Sequence, residues 1–104
     1  MVIIWLPEAR SHLKEIYLFD KENRNLKIAV KVRLEIYSSV TILKKFPQMA
    51  SIEFFSSKTT KEYRSLVVSK YFKVVYYIDE EKIYVSAIFD CRQDPETNVK
   101  KIKE

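Results

Sequence analysis

Apolar residues in the first quarter of the chain recur at helical spacing after a short β-rich run. Residues 2–6 are apolar and stop at Pro7, which suits the first turn of a helix because its missing N–H is not needed there. The polar cluster at residues 23–25 ends the segment. This pattern predicts a short strand followed by an amphipathic helix. The positions that step at helical spacing are Ala9, Leu13, Ile16 and Asp20.

Residues 26–36 fit two patterns at once. Apolar and charged residues alternate there as in a half-buried strand, yet an apolar stripe at steps of three and four continues to residue 43. Length decides between the two, because about five turns of a 3.6-residue repeat exceed most strands, and Pro47 then stops the pattern. We therefore predict a second helix over about residues 25–45, forming an antiparallel hairpin with the first. The stripe consists of Ala29, Val32, Ile36, Val40 and Leu43.

The second half of the chain is rich in β-branched and aromatic residues. Residues 63–69, 71–78 and 82–90 predict three strands, and the polar connection at 79–82 makes the last two a hairpin. One face of this pair is expected to lie against the helices. Its expected members are Phe72, Val74, Tyr76, Ile78, Ile83, Val85, Ala87 and Phe89.

The remaining segments are predicted to be irregular. Residues 47–61 are mostly polar, with Phe54 and Phe55 among them. Pro95 should end the last strand and leave residues 96–104 as a charged tail. The fold class expected is α+β: a short N-terminal strand and a two-helix antiparallel hairpin packed on a small antiparallel β-sheet.

Composition narrows the chemistry. With 104 residues the chain is expected to form one domain over residues 1–104, and it contains no glycine. Phosphate-binding loops, dinucleotide fingerprints and nucleophile elbows need glycine where the backbone turns sharply or approaches a ligand. Enzymes built on those motifs are therefore excluded.

Cysteine and histidine are nearly absent. Cys91 and His12 are the single residues of their kinds, so neither an intrachain disulfide nor a four-ligand zinc site can form. We therefore expect no metal and no cofactor. We also expect no membrane span, since no apolar run approaches about 18 residues. The N-terminal apolar run lacks a basic lead and does not resemble a signal peptide, which favours a cytoplasmic protein.

Positive charge concentrates on the second helix. The chain carries a net charge of +5. Arg24, Lys27 and Lys31 lie on one side at helical spacing. Such a face is either simply solvated or a contact surface for an acidic partner, a protein or a nucleic-acid backbone.

Three segments of the strand region have a distinctive sequence: Tyr-Arg-Ser-Leu-Val-Val at 63–68, Tyr-Phe-Lys-Val-Val-Tyr at 71–76 and Ile-Phe-Asp-Cys-Arg-Gln-Asp-Pro at 88–95. In this order they resemble the RelE/ParE superfamily, the toxins of bacterial type II toxin–antitoxin modules, also called plasmid stabilisation proteins. The resemblance implies two helices packed on a small antiparallel sheet, which agrees with the fold expected from periodicity.

The branches of this superfamily act on different targets. RelE-like members cut mRNA on the ribosome, whereas ParE-like members are known for poisoning DNA gyrase without a nuclease site. Arg64, Lys73 and Arg92 match basic sheet positions of the ribonucleases, but Leu66 stands where those often have a lysine, and neither Tyr nor His follows Arg92. The similarity is therefore closer to the ParE-like branch, and a binding mechanism is favoured over catalysis.

The resemblance implies a growth-inhibiting toxin that binds DNA gyrase and is neutralised by a cognate antitoxin. Two alternatives stay open: a ribosome-dependent mRNA endoribonuclease, and a non-toxic module that only binds an antitoxin. A homodimer or a toxin–antitoxin hetero-oligomer is compatible with each. Arg64, Lys73 and Arg92 are candidates for target or antitoxin contact, or else strand residues that face water or pair with Asp90 and Asp94.

Overall fold

The computed structural model describes residues 1–102 and has an α+β fold. Both predicted helices and all four predicted strands are present, with bounds that differ from the expected ones by three residues at most. The elements are β1 (Val2–Trp5), α1 (Pro7–Asn23), α2 (Leu26–Ile42), β2 (Ser51–Ile52), a 3₁₀ helix (Phe54–Lys58), β3 (Arg64–Val68), β4 (Phe72–Asp79), β5 (Lys82–Asp90) and α3 (Pro95–Val99).

The polar cluster between the helices ends one helix and begins the next. Asn23 Nδ2 donates to the carbonyl of Phe19 at 2.9 Å in the last turn of α1. Asn25 is the N-cap of α2, and its Oδ1 accepts from the backbone N–H of Ile28 at 2.8 Å. An Asn cap of this kind satisfies a donor that the helix leaves free at its start. This short connection produces the antiparallel hairpin that the sequence predicts.

The sheet has five strands in the order β1-β5-β4-β3-β2. Strands β3 to β5 pair antiparallel, as expected, and so does β2, which lies in a segment predicted to be irregular. The pairing of β1 with β5 is parallel, so the sheet is mixed. The parallel pairing follows from the connection, because α1 and α2 together return the chain to the end of the sheet at which β1 finishes, and β2 to β5 then alternate in direction. Among the described residues no helix is long and apolar enough to span a membrane.

A bulge in β5 corrects the expected composition of the inner face. Val75 pairs with Ala87 but Tyr76 pairs with Val85, so Ser86 has no opposite residue. The extra residue reverses the facing of everything after it. Ile88 therefore lies on the helix side with Val74, whereas Ala87 and Phe89 lie on the other face, contrary to the prediction.

The helical hairpin covers one face of the sheet. The main cluster between them contains Ala9, Leu13, Val32, Ile36, Val40, Val68, Phe72, Val74, Val85 and Ile88. An adjoining cluster on the same side contains Leu43, Ala50, Tyr76 and Ile83.

The second face of the sheet is covered by segments that the sequence analysis left irregular. Phe55 of the 3₁₀ helix packs there on Phe89, and Val99 and Ile102 pack from the C-terminal segment. The expected charged tail is thus a folded segment as far as residue 102, and residues 103 and 104 lie outside the described range. Pro95 opens α3 rather than closing β5, which ends at Asp90.

The hairpin between β4 and β5 turns without glycine. Asp79 pairs with Lys82, and the two residues between them, Glu80 and Glu81, have φ of 48° and 63°. This is the geometry of a two-residue turn that favours Asn-Gly, because a Cβ in the left-handed region costs about 1–2 kcal/mol. The tight connection predicted at these residues is confirmed, and it is strained.

Replacing Glu81 by Gly is expected to stabilise the protein. The free energy gained by relieving the left-handed strain exceeds the free-energy cost of glycine's greater backbone entropy in the unfolded chain by about 0.5–1 kcal/mol. This difference should raise Tm by about 4 °C in thermal unfolding. Asp79→Gly, at a strand position of the same hairpin, is the control and should lower Tm. A Tm for Glu81→Gly at or below that of the wild type would contradict this account.

Candidate functional site

The basic residues at the start of the second helix lie at the surface, as predicted. Arg24 is the residue that caps the C-terminus of α1, while Lys27 and Lys31 lie in the first two turns of α2, and all three are exposed. The Lys31 side chain is 74% exposed, and its Nζ lies 4.0 Å from the carboxylate of Glu35 one turn later. A pair this long and this exposed contributes little to stability, so the lysine charge is available to a partner.

A groove of about 580 Å³ runs between α2 and the end of β3. Lys27 and Lys31, but not Arg24, lie along it, with Leu34 and Ser38 on the same helix and Val68 on the strand. Leu34 is 56% exposed. The groove therefore combines apolar surface with two lysines and one carboxylate, that of Glu35, and carries a net positive charge.

The edge of the sheet beside this groove is only partly covered. β2 pairs with Arg64 and Ser65 alone, so within residues 1–102 the remainder of β3, Leu66–Val68, has no strand neighbour on that side. Val67 in this stretch is 60% exposed. An uncovered strand edge of this kind can accept an extended segment of another chain.

Arg64 is tied to the loop that follows α2. Its Nη1 donates to the carbonyl of Ala50 at 2.8 Å, and its Nη2 lies 3.4 Å from a carboxylate oxygen of Glu62. Tyr76 fixes the same loop, since its hydroxyl donates to the carbonyl of Pro47 at 2.7 Å. The Arg64 side chain is only 17% exposed, so its donors serve mainly to hold the loop.

Lys73 pairs with a buried carboxylate on the second face of the sheet. Its Nζ lies 3.1 Å from Glu53 Oε1, which also accepts from the hydroxyl of Ser65 at 2.5 Å. The Glu53 side chain is 6% exposed. A buried carboxylate needs such partners, so Lys73 neutralises Glu53 as well as reaching solvent.

Arg92 is held at the end of β5 by a fork of two hydrogen bonds. Its Nε and Nη2 each lie 2.9 Å from one carboxylate oxygen of Asp90, and its guanidinium carbon lies 5.1 Å from the ring centre of Tyr71. Burial alone would raise the pKa of Asp90, but the hydrogen bonds and charge of Arg92 outweigh it, so the pKa lies below its usual value. The Arg92 side chain is 44% exposed, which leaves part of the guanidinium open to a partner.

The three basic residues that match ribonuclease positions do not converge. Arg64 lies on the same face of β3 as Leu66, the face that packs on the helices. Lys73 lies on the same face of β4 as Val75, which is the opposite face of the sheet. Arg92 lies beyond the last strand, against Tyr71. Each of the three is instead paired with a different carboxylate: Glu62, Glu53 and Asp90. Of the two partners expected from the sequence, Asp90 pairs with Arg92, whereas Asp94 caps α3.

Comparison with known proteins places this arrangement in a family. A family model described as the ParE toxin of a type II toxin–antitoxin system, parDE, matches residues 3–95. The chain belongs to the ParE toxin family. A solved structure described as the chromosomal ParDE TA system from P. aeruginosa shares the fold, with a TM-score of 0.72 at 19% identity over 86% of this chain and 95% of that one. No curated protein matches the chain.

Two residues of this ParE-family chain have site-like surroundings that the sequence analysis did not single out. Glu53 is a buried carboxylate, and the sequence gives little indication of its burial because it lies in a polar segment predicted to be irregular. Asp20 is 2% exposed, and its signal was present, since helical spacing places it on the same face as Ala9 and Leu13.

Proposed function

We propose that this ParE-family chain is the growth-inhibiting toxin of a type II toxin–antitoxin module, that it acts in the cytoplasm by binding DNA gyrase, and that a cognate antitoxin neutralises it. The observation that carries the proposal is the family match over residues 3–95. The ParDE structure, described as a TA system, supports an antitoxin partner.

The groove between α2 and β3 fits an acidic, amphipathic antitoxin segment. Apolar side chains of such a segment would bury Leu34 and Val30, and its carboxylates would meet Lys27 and Lys31 along the same wall. An extended continuation could pair with the uncovered edge of β3 at Leu66–Val68. A segment that folds on binding can cover both surfaces at once.

Reversing the charge of the groove is expected to weaken antitoxin binding. In the double variant Lys27→Glu/Lys31→Glu, loss of two attractions and gain of two repulsions should raise the Kd for the antitoxin encoded beside this gene by about 10- to 100-fold. Isothermal titration calorimetry at low and high salt would measure it, and the wild type should bind less tightly as salt rises.

Lys14→Glu/Lys21→Glu is the matched control for that variant, because both lysines are exposed on α1 outside the groove. Its Kd should stay within about threefold of the wild type, since its charge change is the same and only long-range attraction is lost. Equal weakening in the two double variants would argue that net charge, rather than the groove, governs binding.

Action by binding is supported by how the basic residues are placed. Cleavage of RNA through attack of a 2′-hydroxyl needs cations gathered around one phosphate and groups that move protons. Here Arg64, Lys73 and Arg92 lie on different parts of the sheet, and each has its own carboxylate partner.

The two candidate targets are tested by adding the purified chain to a DNA gyrase supercoiling reaction and to a reconstituted translation reaction. Loss of gyrase-dependent supercoiling, with intact mRNA in a reconstituted translation reaction, is the expected result. Cleavage of ribosome-bound mRNA would replace the gyrase proposal by the ribonuclease one. Normal growth on induction without antitoxin, with antitoxin binding retained, would identify a non-toxic binding module.

A further inference from the structure

A cleft between α1 and the end of β5 contains a buried carboxylate, one oxygen of which has no hydrogen-bond partner within residues 1–102. Asp20 is 2% exposed, and its Oδ2 accepts no hydrogen bond from any residue in the described range. Asp20 also lies in the last turn of α1, whose C-terminal end carries partial negative charge. Burial and the helix end both make the carboxylate unfavourable as it stands, so a positively charged donor would stabilise it.

The two cations that line the cleft direct their hydrogen bonds elsewhere. Arg92 is attracted by the charge of Asp20, but its fork is directed at Asp90. Lys101 donates from Nζ to the carbonyl of Ile88 at 3.3 Å. Lys101 is half-buried, and this burial lowers the pKa of its ammonium group. Neither residue supplies the missing hydrogen bond to Asp20.

The cleft has the charge and the size for one small cation. Its volume is about 430 Å³, and its walls carry three carboxylates against two cations, so they hold one negative charge in a chain whose net charge is +5. His12 in the same wall is counted as neutral, because its Nδ1 accepts the backbone N–H of Ile88 at 3.2 Å. The carboxylates are Glu15, Asp20 and Asp90.

We propose that this cleft binds a guanidinium group, with its N–H fork on the carboxylate of Asp20 and its plane against the ring of Phe19. Phe19 lines the cleft and is 54% exposed, so its ring can turn to cover a ligand or to let it pass. A guanidinium fits better than an ammonium, because it is planar, weakly hydrated and stacks on aromatic rings. Arg92 on Tyr71 and Asp90 shows the same combination of contacts within this chain.

The guanidinium can come from a free solute or from an arginine side chain of a partner protein. Butylguanidinium chloride and a short peptide with one central arginine are the two probes, added to the isotope-labelled full chain and followed by two-dimensional NMR. Saturable shifts confined to residues 12–20 and 88–93 are expected, with a Kd of about 1 mM for butylguanidinium. Equal affinity for the peptide points to a solute, and an affinity about tenfold higher or more points to a partner's arginine.

Two controls separate charge recognition from nonspecific effects. Butylurea has nearly the same shape without the charge and should bind at least about tenfold more weakly. Asp20→Asn should weaken butylguanidinium by the same factor while leaving Tm unchanged or higher, whereas Glu22→Gln, exposed on the same helix outside the cleft, should bind as the wild type does.

The proposal would be overturned by any of three results: no saturable shift at 20 mM butylguanidinium, a concentration of about 20 times the expected Kd, equal binding of butylurea, or unaltered binding to Asp20→Asn. Should Asp20→Asn fail to fold, Phe19→Ala, at an exposed position, provides the same test through the loss of stacking. None of these measurements depends on toxicity, so the outcome is independent of the function proposed above.

Discussion

Replacing Asn98 by Ala is expected to lower the free energy of unfolding by about 3 kcal/mol, the larger of the stability effects predicted here. Asn98 is 6% exposed and clamps the end of β5: its Nδ2 donates to the carbonyl of Asp90 at 2.8 Å, and its Oδ1 accepts the N–H of the same residue at 3.2 Å. The variant would lose both bonds and leave the backbone N–H of Asp90 without a partner, whereas the carbonyl of Asp90 would keep the N–H of Gln93 at 2.9 Å. Thermal unfolding should show a Tm lower by at least about 12 °C.

The loss would extend beyond the two hydrogen bonds. Asn98 anchors the segment whose Val99 and Ile102 pack on Phe55 and Phe89, so detachment of α3 would expose the second face of the sheet. Binding of a hydrophobic dye should therefore rise in Asn98→Ala. Asn23→Ala is the matched control, because its side chain donates a single bond at an exposed helix end and its loss should cost less than about 0.5 kcal/mol. Similar Tm values for the two variants would show that the clamp is not needed.

The sequence predicts the helical hairpin well because one physical signal dominates there. Leu13, Val32, Ile36 and Val40 repeat at helical spacing, and the structure buries all four. Asn25 marks the boundary because a side-chain oxygen at that position satisfies the start of α2. These are local effects, so they can be inferred without knowing what the hairpin packs on.

The sheet is harder to predict because it is buried on both faces. Val85, Ala87, Ile88 and Phe89 are all apolar and all buried, so alternation gives no sign of the bulge at Ser86. The parallel pairing of β1 with β5 brings together segments about 80 residues apart, and no residue in either strand encodes that choice.

The charged composition of the C-terminal segment predicts a tail and gives no sign that the segment packs on the sheet. Lysine and glutamate dominate residues 96–104, but Asn98, Val99 and Ile102 are the residues that attach it to the sheet. The candidate basic residues illustrate the same limit: strand assignment was correct for Arg64 and Lys73, yet their opposite facing depends on the register between β3 and β4. Local patterns therefore identified the residues, and long-range pairing decided what they could do together.

Replacing Arg92 by Ala is expected to reduce growth inhibition at least about tenfold while leaving the chain folded and able to bind the antitoxin. The Arg92 side chain is 44% exposed at the end of β5, where Asp90 and the ring of Tyr71 hold its guanidinium in one orientation, as a contact residue for a target requires. It lies outside the groove proposed for the antitoxin. Induced growth and gyrase-dependent supercoiling measure the loss of toxicity.

The structural contribution of Arg92 should be small and should depend on pH in one direction. Asp90 keeps the backbone N–H of residue 92 as a donor at 3.0 Å in the variant, so the exposed ion pair accounts for about 1 kcal/mol and about 5 °C in Tm. Because Arg92 lowers the pKa of Asp90 in the folded chain, the pair stabilises fully above about pH 4 and is lost as pH falls and the carboxylate takes up a proton. The stability difference between wild type and Arg92→Ala should therefore shrink in strong acid.

Arg10→Ala, which changes an exposed arginine of α1, is the control and should alter neither toxicity nor this pH profile. A folded Arg92→Ala protein with full toxicity would place the target-binding surface elsewhere, and an unfolded one would make Arg92 a structural residue.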